Sequence, residues 1–436
     1  MKIALITSFP PSRHALNEYG FHVAEQLRQE PGVELTVLGD YLTTPADELP
    51  GFAVNRCWGF GKPGNVATLL RAIRKVKPDV AWFNVGFASF GDRPLAAVLG
   101  LLTPAVARLH GVYSHVTLHQ LFETVDLEDA AVSSPRLYRL GGWLATHLLL
   151  SANSLSVLLP AYRRTLDDKY RRGRVSVRSH GIFAGKPDPP DFTRRGNPIH
   201  RILAFGKWGT YKRLELLIEA FNQVAMQFPN VRLIIGGSDH PKTPGYVASM
   251  AQHHASDRIR FLGYVPEESI ADLFREASLA VMPYTSSAGS SGVAHIAAQY
   301  GVPVIASGIQ DFRELAEHEG IAMRFFVPGD RDSLVEQMLT VLNSPNEMKA
   351  MAWRSYEAGV AMSMPLVVRE YIRNFRQQER IKILQCVAGL RRAGQFQEPS
   401  ELARRAGEKI QKWQDEDQIA DFAAEPAGPA VHPAAA

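Results

Sequence analysis

Short apolar runs alternate with amphipathic helical segments along most of the chain. The apolar runs predict strands in the first half at residues 3–7, 34–38, 80–85, 105–109, 155–159 and 175–179, and in the second half at residues 202–205, 231–236, 260–262, 279–283, 302–306 and 323–327. The predicted helices include residues 19–29, 66–75, 214–225, 268–276, 293–300 and 333–342. Nearly continuous apolar strands separated by helices indicate parallel sheets that are covered on both faces.

A segment rich in proline and glycine, at residues 181–200, divides this pattern into two halves. We therefore predict an α/β fold with two doubly wound domains, at residues 1–185 and 201–364, joined by a linker at residues 186–200. Ligands of such sheets bind beyond the carboxyl ends of the strands, so the cleft between the domains is the expected site. From residue 391 to residue 436 the chain is charged and then rich in alanine and proline, which predicts a disordered tail.

The composition limits the class of protein. With 436 residues, of which 46% are hydrophobic, the chain can bury more than one core. Its net charge of +4 is small for this length and predicts no general affinity for nucleic acid. The two cysteines, Cys57 and Cys386, lie far apart without a CxxC pattern. This argues against a disulfide framework or a structural zinc site and fits a reducing compartment.

The sequence does not predict a membrane anchor. The apolar run before Pro10 is too short for a signal peptide and is better explained as a first strand. Residues 140–159 are the most hydrophobic stretch, but His147 and Asn153 interrupt it. We predict a helix that ends near Leu150, followed by a buried strand, and a cytoplasmic protein.

Two lysines follow the first strand of the second half. Gly206 ends this strand, Lys207 stands at its tip, and Lys212 precedes the helix at residues 214–225. A helix N-terminus offers free N–H groups and partial positive charge, so two ammonium groups beside it suit a diphosphate. The alternative is that both lysines are ordinary surface side chains at a strand–helix junction.

A second loop of this half is rich in serine and glycine. Ser290, Ser291, Gly292 and Val293 open the helix at residues 293–300, where free N–H groups could meet a sugar hydroxyl or a phosphate oxygen. A serine N-cap without a ligand is an equally good interpretation.

Together with GVPVIAS at residues 301–307 and DFREL at residues 311–315, these motifs resemble the family-4 nucleotide-sugar glycosyltransferases of the GT-B fold. In that family, the Arg and the Lys of a Gly-Arg-x-x-x-x-Lys-Gly segment hold the donor diphosphate. The matching residues here are Lys207 and Lys212, which keep the charge but lack the bidentate fork of Arg. The resemblance implies a GT-B architecture of two Rossmann-like domains that face a central cleft, with helices at residues 365–390 that cross back to the first domain.

The resemblance also implies a reaction. A sugar passes from a nucleotide-sugar donor to a hydroxyl acceptor, with retention of the anomeric configuration. The nucleotide sugar is a co-substrate, and no metal ion or other cofactor is required. Lys207 and Lys212 would neutralise the leaving diphosphate, and Gly206 and the loop at residues 290–293 would bind the donor with them.

Two further residues receive roles from the resemblance. Glu314 would bond a donor hydroxyl, unless it only caps a helix. His110, which we place at the end of the strand at residues 105–109, would hydrogen-bond the donor or the acceptor across the cleft. A lone histidine near a strand end is more often structural.

The chain departs from the family pattern at two places. The family has two Glu residues eight positions apart, where an ungapped match gives Ala288 and Ile296, so no carboxylate replaces the Glu that usually binds the ribose. The loop before the first helix also lacks the family's Gly-Gly pair. Asn17 and Glu18, which follow it, either bind the acceptor or cap the helix at residues 19–29, and we favour the cap.

Other interpretations stay open. The basic residues between Arg163 and Arg178 either contact anionic lipid at the inner face of a membrane or form a solvated helix and turn, which is the usual case. A nucleotide-sugar epimerase would share the fold but would need carboxylates in the cleft for proton abstraction. A non-catalytic nucleotide- or sugar-binding protein would explain the loss of both Glu residues.

Overall fold

The computed structural model describes residues 1–124, 135–170, 175–195, 199–240, 243–286 and 289–392, together with residues 408 and 411. The chain divides into two units, Met1–Arg369 and Glu370–Ala436. The described part of the second unit belongs mainly to the last helix of the chain, so the fold below is that of the first unit. The tail predicted at residues 391–436 lies almost entirely outside the described residues.

The described strands form two sheets. The first sheet contains β1 (Lys2–Ile6), β2 (Glu34–Asp40), β3 (Val54–Trp58), β4 (Val80–Val85), β5 (Tyr113–Leu118), β6 (Ser154–Val157) and β7 (Val175–Val177). The second contains β8 (His200–Phe205), β9 (Val231–Gly236), β10 (Ile259–Gly263), β11 (Leu279–Met282), β12 (Val304–Ser307) and β13 (Met323–Phe326). We call the parts built on these sheets the first and second domains.

Helices connect the strands. In the first domain they are α1 (Asn17–Gln29), α2 (Asn65–Val76), α3 (Pro94–Leu101), α4 (Thr103–Leu109), α5 (Pro135–Leu150) and α6 (Pro160–Tyr170). From the second domain onward they are α7 (Leu214–Gln227), α8 (Tyr246–His254), α9 (Glu267–Arg275), α10 (Gly292–Gln299), α11 (Gln310–Glu319), α12 (Arg331–Leu342), α13 (Pro345–Ala361) and α14 (Met364–Arg392).

Both sheets are parallel and doubly wound, as predicted. The strand order is β3-β2-β1-β4-β5-β6-β7 in the first and β10-β9-β8-β11-β12-β13 in the second. The order reverses between β1 and β4 in one sheet and between β8 and β11 in the other, where Ile202 lies opposite Leu279. A crevice opens at such a reversal beyond the carboxyl ends of the strands. In the second domain this crevice begins at Gly206, directly after β8.

Burial on both faces explains why the strands read as apolar runs. All six residues of β4 are buried, as are the last four residues of β1. The apolar stripe of α7 is equally well buried: Leu214, Leu217 and Phe221 are at most 1% exposed. Each sheet is therefore a rigid platform for the loops at its carboxyl edge.

One predicted strand is wrong, and two strands escaped prediction. Residues 105–109 belong to helix α4, with Pro104 in its first turn. A short apolar run cannot be assigned to a helix or a strand by periodicity alone. The strand of this region is β5, and β3 was also missed.

The most hydrophobic stretch folds as predicted, into the end of α5 at Leu150 and then β6. Within the ranges that the structure describes, we find no helix with the length and apolarity needed to span a bilayer.

Candidate active site

Lys212 is a buried cation at the mouth of the second domain. It ends a single 3-10 turn, Thr210–Lys212, and its side chain is only 8% exposed. Its Nζ lies 4.6 Å from the ring centroid of Tyr284 and 5.8 Å from that of Trp208. Burial lowers the pKa of Lys212, and the Tyr211 hydroxyl acts in the opposite direction. A cation that is held in aromatic surroundings gains strength as an anion partner because water screens it little.

Gly206 brings the Lys212 ammonium against the end of β8. Gly206 has φ 140°, and a Cβ at this position would lie 2.9 Å from Lys212 Nζ and 3.6 Å from Val293 Cγ2. A larger residue would therefore displace the ammonium. The first turn of α10 approaches the same point, because Val293 belongs to that turn.

The N-terminus of α10 faces open space. Ser291 is its N-cap and accepts a hydrogen bond from Ala294 N at 3.4 Å. A Cβ at Gly292 would meet no heavy atom within 4 Å. Ser290 Oγ is buried and has no hydrogen-bond partner among the described residues. The free N–H groups of this turn and the Lys212 ammonium both lie near Gly206, in a concavity whose groups suit an anion.

Lys207 lies at the same strand end but is exposed. It is close enough to Glu18 of the first domain to affect the ionisation of that carboxyl group. The pKa of Glu18 is raised, mainly by burial and also by the charge of Glu267, while Lys207 opposes the shift. Lys207 therefore faces the first domain across the cleft. The alternative that both lysines are ordinary surface side chains is wrong for Lys212, which is buried, but it matches the exposure of Lys207.

Glu314 links the two domains. Its carboxylate accepts a hydrogen bond from Ala161 N at 2.6 Å, at the N-terminus of α6, and another from Arg164. The capping alternative therefore matches the geometry, although the capped helix is in the first domain. The donor-binding role that the resemblance suggested for Glu314 stays a prediction.

Replacing Glu314 with Ala is expected to lower the free energy of unfolding by about 1–2 kcal/mol, because α6 loses its cap and Arg164 its partner. Binding of a nucleoside diphosphate should be almost unchanged. Urea unfolding and a thermal-shift titration measure the two quantities. Glu317→Ala is the matched control, since Glu317 is an exposed residue of α11, the helix that also carries Glu314. Loss of nucleotide binding at unchanged stability would instead return Glu314 to the donor site.

His110 does not lie where the sequence placed it. It is the exposed C-cap of α4, and its Nδ1 lies 2.8 Å from the Val106 carbonyl oxygen. It precedes β5 and so stands at the amino edge of the first sheet, opposite the edge that faces the site. The predicted position at a strand tip is wrong, and the local bond to Val106 fits a structural role.

The histidine that follows a strand is His119, directly after β5. It is 7% exposed, and its Nε2 lies 2.5 Å from Asn84 Oδ1. Because Asn84 Oδ1 is an acceptor, Nε2 carries the proton and Nδ1 presents a lone pair. Burial lowers the pKa of His119 to about 3, so the ring is neutral and suits hydrogen bonding better than proton transfer. A Cβ at Gly289 of the second domain would lie 3.8 Å from the His119 carbonyl oxygen.

The loop before α1 also differs from expectation. Asn17 is the first residue of α1, and its side-chain amide donates to the Ser12 carbonyl oxygen at 2.7 Å. No side chain caps this helix within the described range, so the favoured cap is wrong. Leu16 has φ 68°, in the left-handed region that favours glycine. Asn17 thus shapes the loop, and Glu18 faces the cleft.

One group among the described residues has the composition of a metal site. Potential ligand atoms of Glu18, His22 and Glu267 lie within 4.8 Å of one another. Burial lowers the pKa of His22 to about 4, which keeps its ring neutral and able to ligate. The His22 ring also stacks on Phe183 at 4.2 Å. The prediction that no metal ion is required stays a prediction.

The predicted basic segment is only partly described. Arg163 pairs with Asp167 at 3.4 Å, and Arg164 is engaged by Glu314. Residues 171–174 lie outside the described residues, as does Ala288. Contact of this segment with a membrane stays a prediction.

Comparisons with known proteins point to glycosyltransferases. Residues 199–344 match the family model Glycosyl transferases group 1. The match covers the β8 strand end, the aromatic surroundings of Lys212 and α10.

Two curated relatives match shorter stretches. The chain is 23% identical over 161 residues to one of the subunits of phosphatidylinositol N-acetylglucosaminyltransferase from Arabidopsis thaliana, which is 36% of each chain. It is 30% identical over 88 residues to mannosylfructose-phosphate synthase of Agrobacterium fabrum, which is 19% of each chain. The matched stretches thus span well under half the length of these relatives.

Solved structures establish the fold over most of the chain. Sucrose-phosphate synthase from Thermosynechococcus elongatus has a TM-score of 0.66 at 17% identity, covering 86% of this chain and 98% of that one. HepE of Anabaena in complex with UDP has a TM-score of 0.63 at 17% identity, covering 86% of this chain and 100% of that one. The GT-B fold and the glycosyltransferase resemblance are confirmed, while the assignment to family 4 stays a prediction.

Proposed function

We propose that this protein is a glycosyltransferase that moves a sugar from a nucleotide-sugar donor to a hydroxyl acceptor, with retention of the anomeric configuration. The bond between the anomeric carbon and the diphosphate breaks, and a bond to the acceptor oxygen forms. The nucleoside diphosphate and the acceptor's proton are the other products.

One observation carries the proposal: a buried ammonium lies beside a helix N-terminus at the reversal point of the second sheet. Lys212 and the first turn of α10 would hold the donor diphosphate, and Lys207 would reach it from the solvent side. Negative charge grows on the leaving diphosphate as the glycosidic bond breaks. Positive groups that are already in place there stabilise the transition state more than the ground state.

The residue that replaces the family's ribose-binding Glu suggests that the donor is held mainly through its phosphates. Ile296 occupies it in the ungapped match, and Ile296 is half-buried and packs against the apolar core. No carboxylate is available from this residue. We therefore propose that the diphosphate, more than the ribose, anchors the donor. HepE was crystallised with UDP and with UDP-glucose, and a uridine diphosphate sugar is a reasonable first donor to test.

On the acceptor side, we propose His119 in place of His110. Its neutral ring lies at the carboxyl edge of the first sheet, and its backbone carbonyl oxygen lies close to Gly289 of the second domain. The hydrogen bond to Asn84 fixes the ring, so that Nδ1 can accept a hydrogen bond from a sugar or acceptor hydroxyl.

Replacing His119 with Gln is expected to lower kcat/KM about 10- to 100-fold, the loss typical of one strong hydrogen bond. His110→Gln should leave kcat/KM within about twofold of the wild type, since His110 is exposed at the opposite edge. The measurement is release of nucleoside diphosphate from the nucleotide sugar that stabilises the protein most. A large loss in His110→Gln with full activity in His119→Gln would overturn this assignment.

The same assay separates the other functions. A non-catalytic binding protein would bind the nucleotide sugar and release no diphosphate. An epimerase would convert the donor sugar without any acceptor, which chromatography of the recovered donor would detect.

A further inference from the structure

We propose that the first domain contains a binding pocket for an apolar group of the acceptor, about the size of a six-carbon chain or ring. That the bound group belongs to an acceptor rests on the proposed glycosyl transfer. The pocket itself can be tested by binding.

The pocket is a cavity of about 170 Å³ between α3, α5 and the loops that follow β4 and β5. Its lining is mostly apolar and includes Phe87, Val98, Leu101, Phe122 and Ala145. The polar side chains among its described lining residues are Asp92 and Tyr138. An enclosed cavity of about 150 Å³ with an entirely apolar lining binds a molecule as large as benzene, which indicates the size of group that this pocket can hold.

The pocket lies on the acceptor side of the active site. Phe87 follows β4 by two residues, and Phe122 follows His119 by three, so the lining begins within about 11 Å of His119 along the chain. The rings of Phe87 and Phe122 are 5.8 Å apart between centroids. The diphosphate concavity is in the other domain. A group that fills this pocket therefore belongs to the acceptor and not to the nucleotide.

The lining argues against a nucleobase or a sugar as the occupant. Both present several polar atoms that need buried partners, and this lining offers few. An alkyl or aryl group needs none.

The same two helices carry exposed apolar side chains. Leu140, Trp143 and Leu144 recur at helical spacing on α5 and are 61%, 49% and 44% exposed, and Leu95 on α3 is 71% exposed. Single exposed apolar residues are ordinary. Those of α5 lie on the opposite face of the helix from the lining residues Gly141 and Ala145, so they are not part of the pocket.

Gly141 allows the pocket to be filled without strain. It lines the cavity on α5, and a Cβ there would meet no heavy atom within 4 Å. Gly141→Phe places a ring in the open space, while Gly141→Ala adds a single methyl group. Both replacements favour the helix, because glycine is a poor helix former.

The test compares binding of n-hexyl β-D-glucopyranoside with binding of methyl β-D-glucopyranoside by isothermal titration calorimetry. The wild type and Gly141→Ala should bind the hexyl compound at least about tenfold more tightly, because it buries five further carbon groups. Gly141→Phe should lose this preference. Equal affinities in the wild type, or a preference that persists in Gly141→Phe, would overturn the proposal.

Two additional arms make the result specific. The UDP-induced rise in melting temperature should be the same in all three proteins, which shows that they are folded. Its absence from all three would count against the proposed function, while the glucoside pair would still test the pocket. Cosedimentation with phosphatidylcholine vesicles that Gly141→Phe weakens would assign the apolar group to a membrane lipid. Hexyl glucoside binding without cosedimentation would assign it to a soluble acceptor, and either result supports the pocket.

Discussion

The double replacement Lys207→Ala, Lys212→Met is expected to abolish the rise in melting temperature that a nucleoside diphosphate produces in the wild type. Each ammonium contributes a charge-assisted contact to the diphosphate, worth about 1.5–3 kcal/mol. Loss of both should weaken binding by about two to four powers of ten. A thermal-shift titration with UDP measures the change, because a ligand that binds only the folded state stabilises it by RT ln(1 + [L]/Kd).

The unliganded variant should be at least as stable as the wild type. Burial lowers the pKa of Lys212, which shows that its charge is held at a cost in free energy. Met keeps the length of the side chain and removes the charge. The matched control is Lys75→Ala, which replaces an exposed lysine on α2 of the first domain. UDP should raise the melting temperature of this variant as much as that of the wild type. An undiminished shift in the double variant would remove the diphosphate assignment.

The second large effect is a loss of stability in mild acid. Burial lowers the pKa of four histidines: His115 and His119 to about 3, His22 to about 4, and His180 well below 6.5. A base whose folded pKa is depressed adds stability that is present above the unfolded value, near 6.5, and is lost as the pH falls. Each group should cost about 2 kcal/mol between pH 7.5 and pH 5.

One buried histidine acts in the opposite direction. Burial alone would lower the pKa of His295, but Glu319, whose Oε2 lies 2.8 Å from His295 Nε2, raises it above the ordinary value. This pair therefore adds stability below pH 6.5 that is lost as the pH rises through the raised pKa. Four histidines lower the stability in acid and one raises it. We therefore expect the free energy of unfolding to fall by several kcal/mol between pH 7.5 and pH 5.

Urea unfolding at pH 7.5, 6.5, 5.5 and 5 measures this dependence, above the range where ordinary carboxyl groups titrate. The slope of the free energy of unfolding against pH reports how many protons the chain takes up on unfolding. His115→Gln should reduce this number by about one, because His115 is fully buried between Ser154 and Ser156. His253→Gln, at an exposed position on α8, should leave the slope unchanged. A free energy of unfolding that stays constant from pH 7.5 to pH 5 would contradict the prediction.

The sequence predicted strands that are mostly apolar, such as β4 and β9, because all six residues of β4 and four of the six residues of β9 are buried. It missed β5 because His115 and Thr117 make the strand look polar. Both are fully buried, and Thr117 Oγ1 accepts a hydrogen bond from Trp82 Nε1 at 2.9 Å. That miss moved the predicted strand tip from His119 to His110.

The candidate site was predictable where a motif carries it. Gly206, Lys207 and Lys212 follow a strand in the order that the resemblance requires, and the structure brings Gly206 and Lys212 into contact. The burial of Lys212 by Tyr284 and the capping of α6 by Glu314 depend on residues more than 70 positions apart. No local pattern reports such contacts, since tertiary packing alone creates them.

The most direct test of the account is a crystal structure of the protein with bound UDP. We predict that the diphosphate lies within hydrogen-bond distance of Lys212 Nζ and of the first-turn N–H groups of α10. A diphosphate bound elsewhere, with Lys212 still enclosed by Tyr284 and Trp208 and remote from it, would contradict the account.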